Sequence, residues 1–200
     1  MWALFIMSLA VASADVILDG PCPNFKGVSN FDTKAYQGAW YQITKLTIGN
    51  EAHGECGIGE YTVVGDVLKV NHSHIVDGVR KTLWGVLSRA DESNGSGKLW
   101  LSTVAGDNVR IFPYWVVSTD YKNYSIVFSC VYHKKSDVHT VHLWVLSRTK
   151  ILSEGASTIV NNFLKDHARE FPENRFVEND VSNEACSYRK TSAYTIPVGI

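Results

Sequence analysis

The sequence predicts an all-β domain, either an up-and-down antiparallel barrel or a sandwich, followed by a single helix. Three observations carry that expectation. Between Trp40 and about Arg148, short apolar or alternating segments recur every ~8–14 residues, divided by Gly-Asp, Asp-Gly and Asn-Gly turn signals. No long helical periodicity interrupts this region. Beyond it the apolar period changes from two residues to about 3.6.

The first residues are not expected to join the fold. Residues 2–11 form an apolar run, and Ala12-Ser13-Ala14 places small residues where a signal peptidase cuts. Residues 1–14 therefore read as a signal peptide, with Asp15 starting the mature chain and a buried N-terminal strand as the alternative. The run is shorter than the ~20 residues a membrane span needs, and no other stretch reaches that length.

Eight segments read as strands: 38–48, 60–64, 67–76, 79–89, 99–104, 109–118, 124–132 and 138–147. Gly65-Asp66, Asp77-Gly78, residues 91–97, 105–108, 119–123 and 134–137 supply the turns between them. Ala156, Ile159, Val160, Phe163 and Leu164 then follow the i, i+3, i+4, i+7, i+8 rule for one apolar helix face. Ser153 suits the N-cap, and Glu154 suits the positive end of the helix dipole. One such helix after eight strands is expected to serve as a lid or as a buttress packed against their wall.

Composition narrows the function. Lys and Arg number 19 and Asp and Glu 20, a net charge of −1, so the basic excess of a nucleic-acid binder is missing. The same balance gives no general reason for attraction to anionic membranes. With 45% hydrophobic and 20% charged residues the chain is globular rather than disordered, and it is rich in aromatics. The sequence leaves a homo-oligomer open.

Cys22, Cys56, Cys130 and Cys186 form no C-x-x-C pair, so a zinc or thioredoxin-like site has no support. In a secreted chain four cysteines imply two disulfides, and the count alone leaves three pairings open. Asn71-His72-Ser73, Asn94-Gly95-Ser96 and Asn123-Tyr124-Ser125 are N-glycosylation sequons, which also suit secretion. No H-E-x-x-H, G-x-S-x-G or phosphate-loop motif is present, and no catalytic or metal-binding set is expected.

Three segments carry a family resemblance. Gly38-Ala39-Trp40-Tyr41 is similar to the G-x-W signature that opens the first strand of lipocalins. Ser118-Thr119-Asp120-Tyr121-Lys122-Asn123-Tyr124 resembles that family's T-D-Y segment. Trp144-Val145-Leu146-Ser147-Arg148 resembles its third segment, whose Arg packs across the first strand's Trp. They occur in the family's order, and the resemblance spans nearly all of the chain from Asp15 to about Cys186. Cys22-Pro23, Asn30-Phe31-Asp32, Pro113-Tyr114-Trp115 and Val127-Phe128-Ser129-Cys130 are similar to the branch of insect bilin-binding proteins, insecticyanins and apolipoprotein D.

The resemblance implies an eight-stranded up-and-down antiparallel barrel over residues 15–188, with one C-terminal helix packed on the outside. Residues 189–200 have no family counterpart and are left as a tail. It implies the disulfides Cys22–Cys130 and Cys56–Cys186. Gly38, Trp40 and Arg148 take structural roles at the narrow end, where the Arg–Trp contact is worth about 0.5–2 kcal/mol.

The cavity of such a barrel is read partly from strand parity. On residues 68–76 the even positions, including Leu68, Val70, His72 and His74, are the inner set, which turns Asn71 outward. Thr140, His142 and Leu146 share a face with Trp144, and Arg110 and Phe112 share one with Tyr114. The resemblance places Arg110 and Phe112 inward and adds Tyr61, Leu83, Thr103, Ser129 and Val131 in or near the cavity. It implies a secreted carrier of a small hydrophobic ligand, with biliverdin, held non-covalently, as the leading cargo. Its propionates would meet Arg110 and its pyrrole edges His72 or His74. The alternatives are a carrier of fatty acid, steroid or retinoid like apolipoprotein D, a haem binder using His72, His74 or His142, and an isomerase, for which every cysteine is already assigned to a bridge.

Overall fold

The computed structural model describes residues 16–46, 54–90, 95–105 and 108–193. The expected signal peptide and the Asn94 sequon lie outside these residues. A short strand β1 (Ile17–Asp19) and a one-turn helix α1 (Thr33–Tyr36) precede the barrel. Its strands are β2 (Gly38–Leu46), β3 (Glu55–Val64), β4 (Val67–Val76), β5 (Val79–Arg89), β6 (Lys98–Ala105), β7 (Asn108–Thr119), β8 (Tyr124–His133) and β9 (Val138–Ser147). Each pairs antiparallel with the next, and β9 pairs back onto β2, so the sheet closes on itself. Closure, rather than two open layers, settles the choice between barrel and sandwich.

The predicted strands are found, with one notable extension. Strand β3 starts at Glu55, five residues before the sequence expectation. Gly57 and Gly59 lie within this extension, where a side chain would be crowded. A Cβ on Gly57 would lie 2.5 Å from Gln42 Oε1, and one on Gly59 would lie 2.7 Å from the Tyr61 ring. A bulge between Glu55 and Ile58, with Cys56 at φ 50°, fits the strand into register.

Helix α2 (Glu154–Asp166) begins at Ser153, whose side chain accepts a hydrogen bond from the Ala156 N–H. It lies over the outer faces of β8 and β9, where Ala156, Val160 and Phe171 join Phe128, Cys130, Val141 and Leu143 in one buried cluster. Ile159, expected on the contact face, is 47% exposed. At 100° per residue it sits roughly 65° from the centre of the Ala156–Val160–Phe163 line, at the edge of the contact stripe. A second cluster fills the barrel itself and contains Trp40, Tyr61, Leu68, Leu87, Leu99 and Val127.

The two disulfides are Cys22–Cys130 and Cys56–Cys186, as the resemblance implied. The C-terminal segment returns to the barrel after α2. Strand β10 (Val177–Glu178) pairs with β2, and Asn179 is tied to it by Nδ2 donating to the Gln42 carbonyl at 2.7 Å. Arg189 N–H donates to the Gly78 carbonyl, and β11 (Lys190–Ala193) runs parallel to β5 against residues Val79–Thr82. The first residues of the expected tail are therefore part of the sheet. Among the described residues no helix is long and apolar enough to cross a membrane.

Candidate ligand-binding cavity

One end of the barrel is sealed. Trp40 is fully buried there, and Arg148 lies on its face. Helix α1 crosses this end, capped by Asp32, which accepts from the Lys34 and Ala35 N–H groups. The T-D-Y segment forms the adjacent turn. Asp120 Oδ1 accepts from the N–H groups of Lys122, Asn123 and Tyr124, and its Oδ2 accepts from Asn123 Nδ2 at 2.6 Å. Burial works against the Asp120 charge, but these hydrogen bonds hold its carboxyl below the usual range. They also engage the Asn123 nitrogen to which a glycan would attach.

Above the plug the inner strand faces enclose a narrow cavity of about 90 Å³. Its walls are Tyr61, Val70, His72, Leu83, Gly85, Leu101, Thr103, Tyr114, Trp144 and Leu146. Six of the sequence-predicted site residues, Tyr61, His72, Leu83, Thr103, Trp144 and, through its stacking on Trp144, His142, come together here. The His142 and Trp144 rings lie 5.7 Å apart and 8° from parallel.

The register places the remaining candidates on the inner wall around and above the enclosed part. Arg110 pairs with Thr103, and Phe112 with Leu101, so both share the inner face. Ser129 pairs with His142, and Val131 with Thr140, again on the Trp144 side. Val131 is 36% exposed at the rim, where His133 Nε2 and Thr140 Oγ1 are 2.8 Å apart. His74 is buried beneath Gly54, pairs with Lys81, and does not line the enclosed part. Asn71 lies on the outer face, where its Nδ2 donates to Glu60.

The cavity floor is polar at one point. The Tyr61 and Tyr114 hydroxyls are 2.6 Å apart, and burial raises the Tyr114 phenol well above the usual tyrosine range. On the side wall Thr103 is 1% exposed, and its Oγ1 is buried with no hydrogen-bond partner. Toward the mouth the inner faces carry Lys81 and Arg110 along with His74 and His142, and among the described residues of β2–β9 no carboxylate faces inward.

Sequence reasoning missed several inner residues. Tyr114, Leu101 and Lys81 follow by strand parity once the resemblance has placed Phe112, Thr103 and Leu83, since each lies two residues along the same strand from one of them. Lys45 had no such signal. The register shift between Gln42 and Thr44 puts it opposite Trp144 on the inner face, fully buried, with Nζ donating to the Gly54 carbonyl at 2.7 Å.

Comparison with known proteins agrees with this architecture. Residues 37–183 match the lipocalin / cytosolic fatty-acid binding protein family model. The chain is 37% identical to insecticyanin-B of Manduca sexta over 96% of its own length and 95% of that protein's. It is 35% identical to the bilin-binding protein of Pieris brassicae, over 93% and 98% respectively. Apolipoprotein D of Oryctolagus cuniculus is 30% identical over 78% of this chain and 81% of that one. The crystal structure of insecticyanin from the tobacco hornworm superimposes with a TM-score of 0.84 at 36% identity, covering 92% of this chain and 98% of the other. The chain belongs to the lipocalin / cytosolic fatty-acid binding protein family.

Proposed function

We propose that this protein is a secreted carrier of a small apolar ligand with an acidic end, and that biliverdin is its cargo. One observation carries the choice of ligand class. The wall is apolar and aromatic below, and basic with no described carboxylate toward the mouth. A tetrapyrrole with two propionates matches both halves. Its rings would lie along Trp144, Leu83 and Phe112, with its carboxylates toward Arg110 and Lys81. At about 90 Å³ the enclosed part is smaller than the ~300–1,000 Å³ of a typical ligand site, so a bilin would extend through the mouth. The bilin-binding relative and the resemblance to insecticyanin support the same cargo. The relatives are binding proteins rather than enzymes, and all four cysteines are in disulfides, which also supports an extracellular location.

A fatty acid, steroid or retinoid carrier like apolipoprotein D is the second reading. The narrowness of the enclosed cavity favours it, because a single acyl chain fills such a space. The absorption spectrum of protein purified from its source separates the readings. A red visible band identifies bilin, a Soret band identifies haem, and a colourless protein directs attention to lipids. Addition of biliverdin to the unliganded protein should quench tryptophan fluorescence with one-to-one stoichiometry. Absence of any binding would remove the bilin reading.

A further inference from the structure

Asn71 opens the sequon Asn71-His72-Ser73, and the strand register decides where its side chain stands in the folded protein. Val70 and His72 line the cavity, so Asn71 between them is on the outer face of β4. Its Oδ1 is buried, and its Nδ2 donates to Glu60 Oε2 at 3.3 Å. Only the nitrogen of an amide can face a carboxylate in this way. The atom that would carry a sugar is therefore the one directed at Glu60, an exposed residue of β3. A sugar replaces one of the two Nδ2 hydrogens and leaves the other for this bond.

On the opposite side stands Trp84. It is the register partner of Asn71 on β5, and side chains so paired have Cβ atoms about 4.5–5.5 Å apart. Trp84 is 67% exposed, more than any other aromatic side chain among the described residues. One face of a pyranose ring presents a row of axial C–H groups, apolar and weakly positive. That face suits the electron-rich face of an indole. A first sugar fixed to Asn71 has the indole on one side and, on the other, a carboxylate able to accept from its hydroxyl and acetamide groups.

We propose that Asn71 carries an N-linked glycan and that its first N-acetylglucosamine stacks on Trp84. This rests on the secreted reading above, because the sugar is transferred in the secretory pathway. There Asn71 Nδ2 attacks C1 of the first sugar of a lipid-pyrophosphate-linked oligosaccharide. The N–C1 bond forms, the C1–O bond breaks, the lipid pyrophosphate leaves, and the amide proton passes to a base of the transferring enzyme. The acceptor is the unfolded strand. In the folded protein Ser73 is 3% exposed and its Oγ accepts from Arg80 Nη2 at 3.2 Å, out of an enzyme's reach. Folding then carries the sugar outside through strand parity alone, since a slip of one residue would turn it into the barrel.

The test expresses the full chain in secreting eukaryotic cells, beside a version with a proven secretory leader in place of residues 1–14. Trypsin releases residues 70–80, which contain this sequon alone. In secreted protein that peptide is expected to carry a glycan, and Asn71→Gln should abolish it. Trimming the glycan to one N-acetylglucosamine isolates the stacking. Its ring and acetyl protons should be shifted upfield by the indole ring current. Trp84→Ser, altered only at an exposed side chain, should remove that shift while the glycopeptide mass and the circular dichroism stay the same. An unmodified 70–80 peptide in the secreted protein would overturn the site. Sugar protons that ignore Trp84→Ser would overturn the stacking. Glycosylation only behind the supplied leader would overturn the secreted reading and leave the acceptor geometry standing.

Discussion

Arg148 lies flat on Trp40, its guanidinium carbon 3.8 Å from the indole ring centroid, and the same group donates to three backbone carbonyls. The acceptors are Ala35 and Ala39 at 3.0 Å and Tyr121 at 3.1 Å. One side chain thus ties α1, β2 and the turn before β8 over the sealed end. Lysine keeps the charge but has neither the planar face nor the fork. Arg148→Lys is therefore expected to lower stability by about 2–3 kcal/mol, from lost charged hydrogen bonds and stacking. Urea unfolding measures it, and a loss below about 0.5 kcal/mol would show that charge alone suffices.

Tyr36 makes stability fall at alkaline pH. It is fully buried, and its hydroxyl is 2.9 Å from Ser125 Oγ. Burial pushes its phenol up to about 12, a shift the Ser125 hydrogen bond partly offsets. In the unfolded chain tyrosine ionises near pH 10. Between about pH 10 and 12 the folded state therefore binds more protons than the unfolded state, and stability is lost as pH rises through that window. The loss from this residue is about 2–3 kcal/mol. Tyr114 is raised by burial too and acts in the same direction. Tyr36→Phe should lower stability near neutral pH, through the lost hydrogen bond, yet flatten its decline above pH 10. Urea midpoints at pH 8, 10 and 11 check both signs.

The two features of Arg148 and Tyr36 differ in how visible they were beforehand. The stacking of Arg148 on Trp40 was legible because short motifs mark both residues, and strand alternation marked six of the eight barrel strands almost to the residue. Tyr36 carried no periodic signal, since α1 has only four residues. Lys45 was hidden by a bulge, which inverts parity without any mark in composition. Strand β11 was hidden for another reason. Its four residues pair with an edge of β5 that β6 leaves open, and an edge exists only in three dimensions.

The Cys56–Cys186 bridge holds that edge strand in place. It closes 130 residues of sequence and precedes Arg189 and β11 by only a few residues. Replacing both cysteines by alanine is expected to cost about 2–4 kcal/mol, within the range of loop-closure estimates. The loss should also be local. Amides of residues 79–82 on β5 should exchange faster in deuterium oxide, while those of β8 and β9 keep their protection. Uniform acceleration across the barrel would show that the bridge acts on the whole fold instead.

Arg110 tests the orientation of the ligand. It shares the inner face with Thr103, its register partner on β6. Arg110→Ala is expected to weaken a ligand bearing a carboxylate by about 1–3 kcal/mol, with little effect on a neutral one of similar size. Fluorescence titration with biliverdin and with its dimethyl ester separates the two, and equal losses for both would take Arg110 out of the charge contact.

Thr103 makes the sharpest test of occupancy, because stability and binding should move in opposite directions. Its Oγ1 is buried in the cavity wall without a hydrogen-bond partner, an arrangement that costs about 1–3 kcal/mol in the empty protein. Valine has nearly the same shape and no hydroxyl. Thr103→Val is therefore expected to stabilise the unliganded barrel by about 1 kcal/mol. A ligand whose pyrrole N–H or hydroxyl reaches Oγ1 would bind the variant less tightly by a similar amount. Urea unfolding of the empty protein and ligand titration at one temperature give both numbers. Stabilisation with unchanged affinity would mean that the ligand passes Thr103 without touching its hydroxyl, and destabilisation would mean that the hydroxyl already has a partner in the empty barrel.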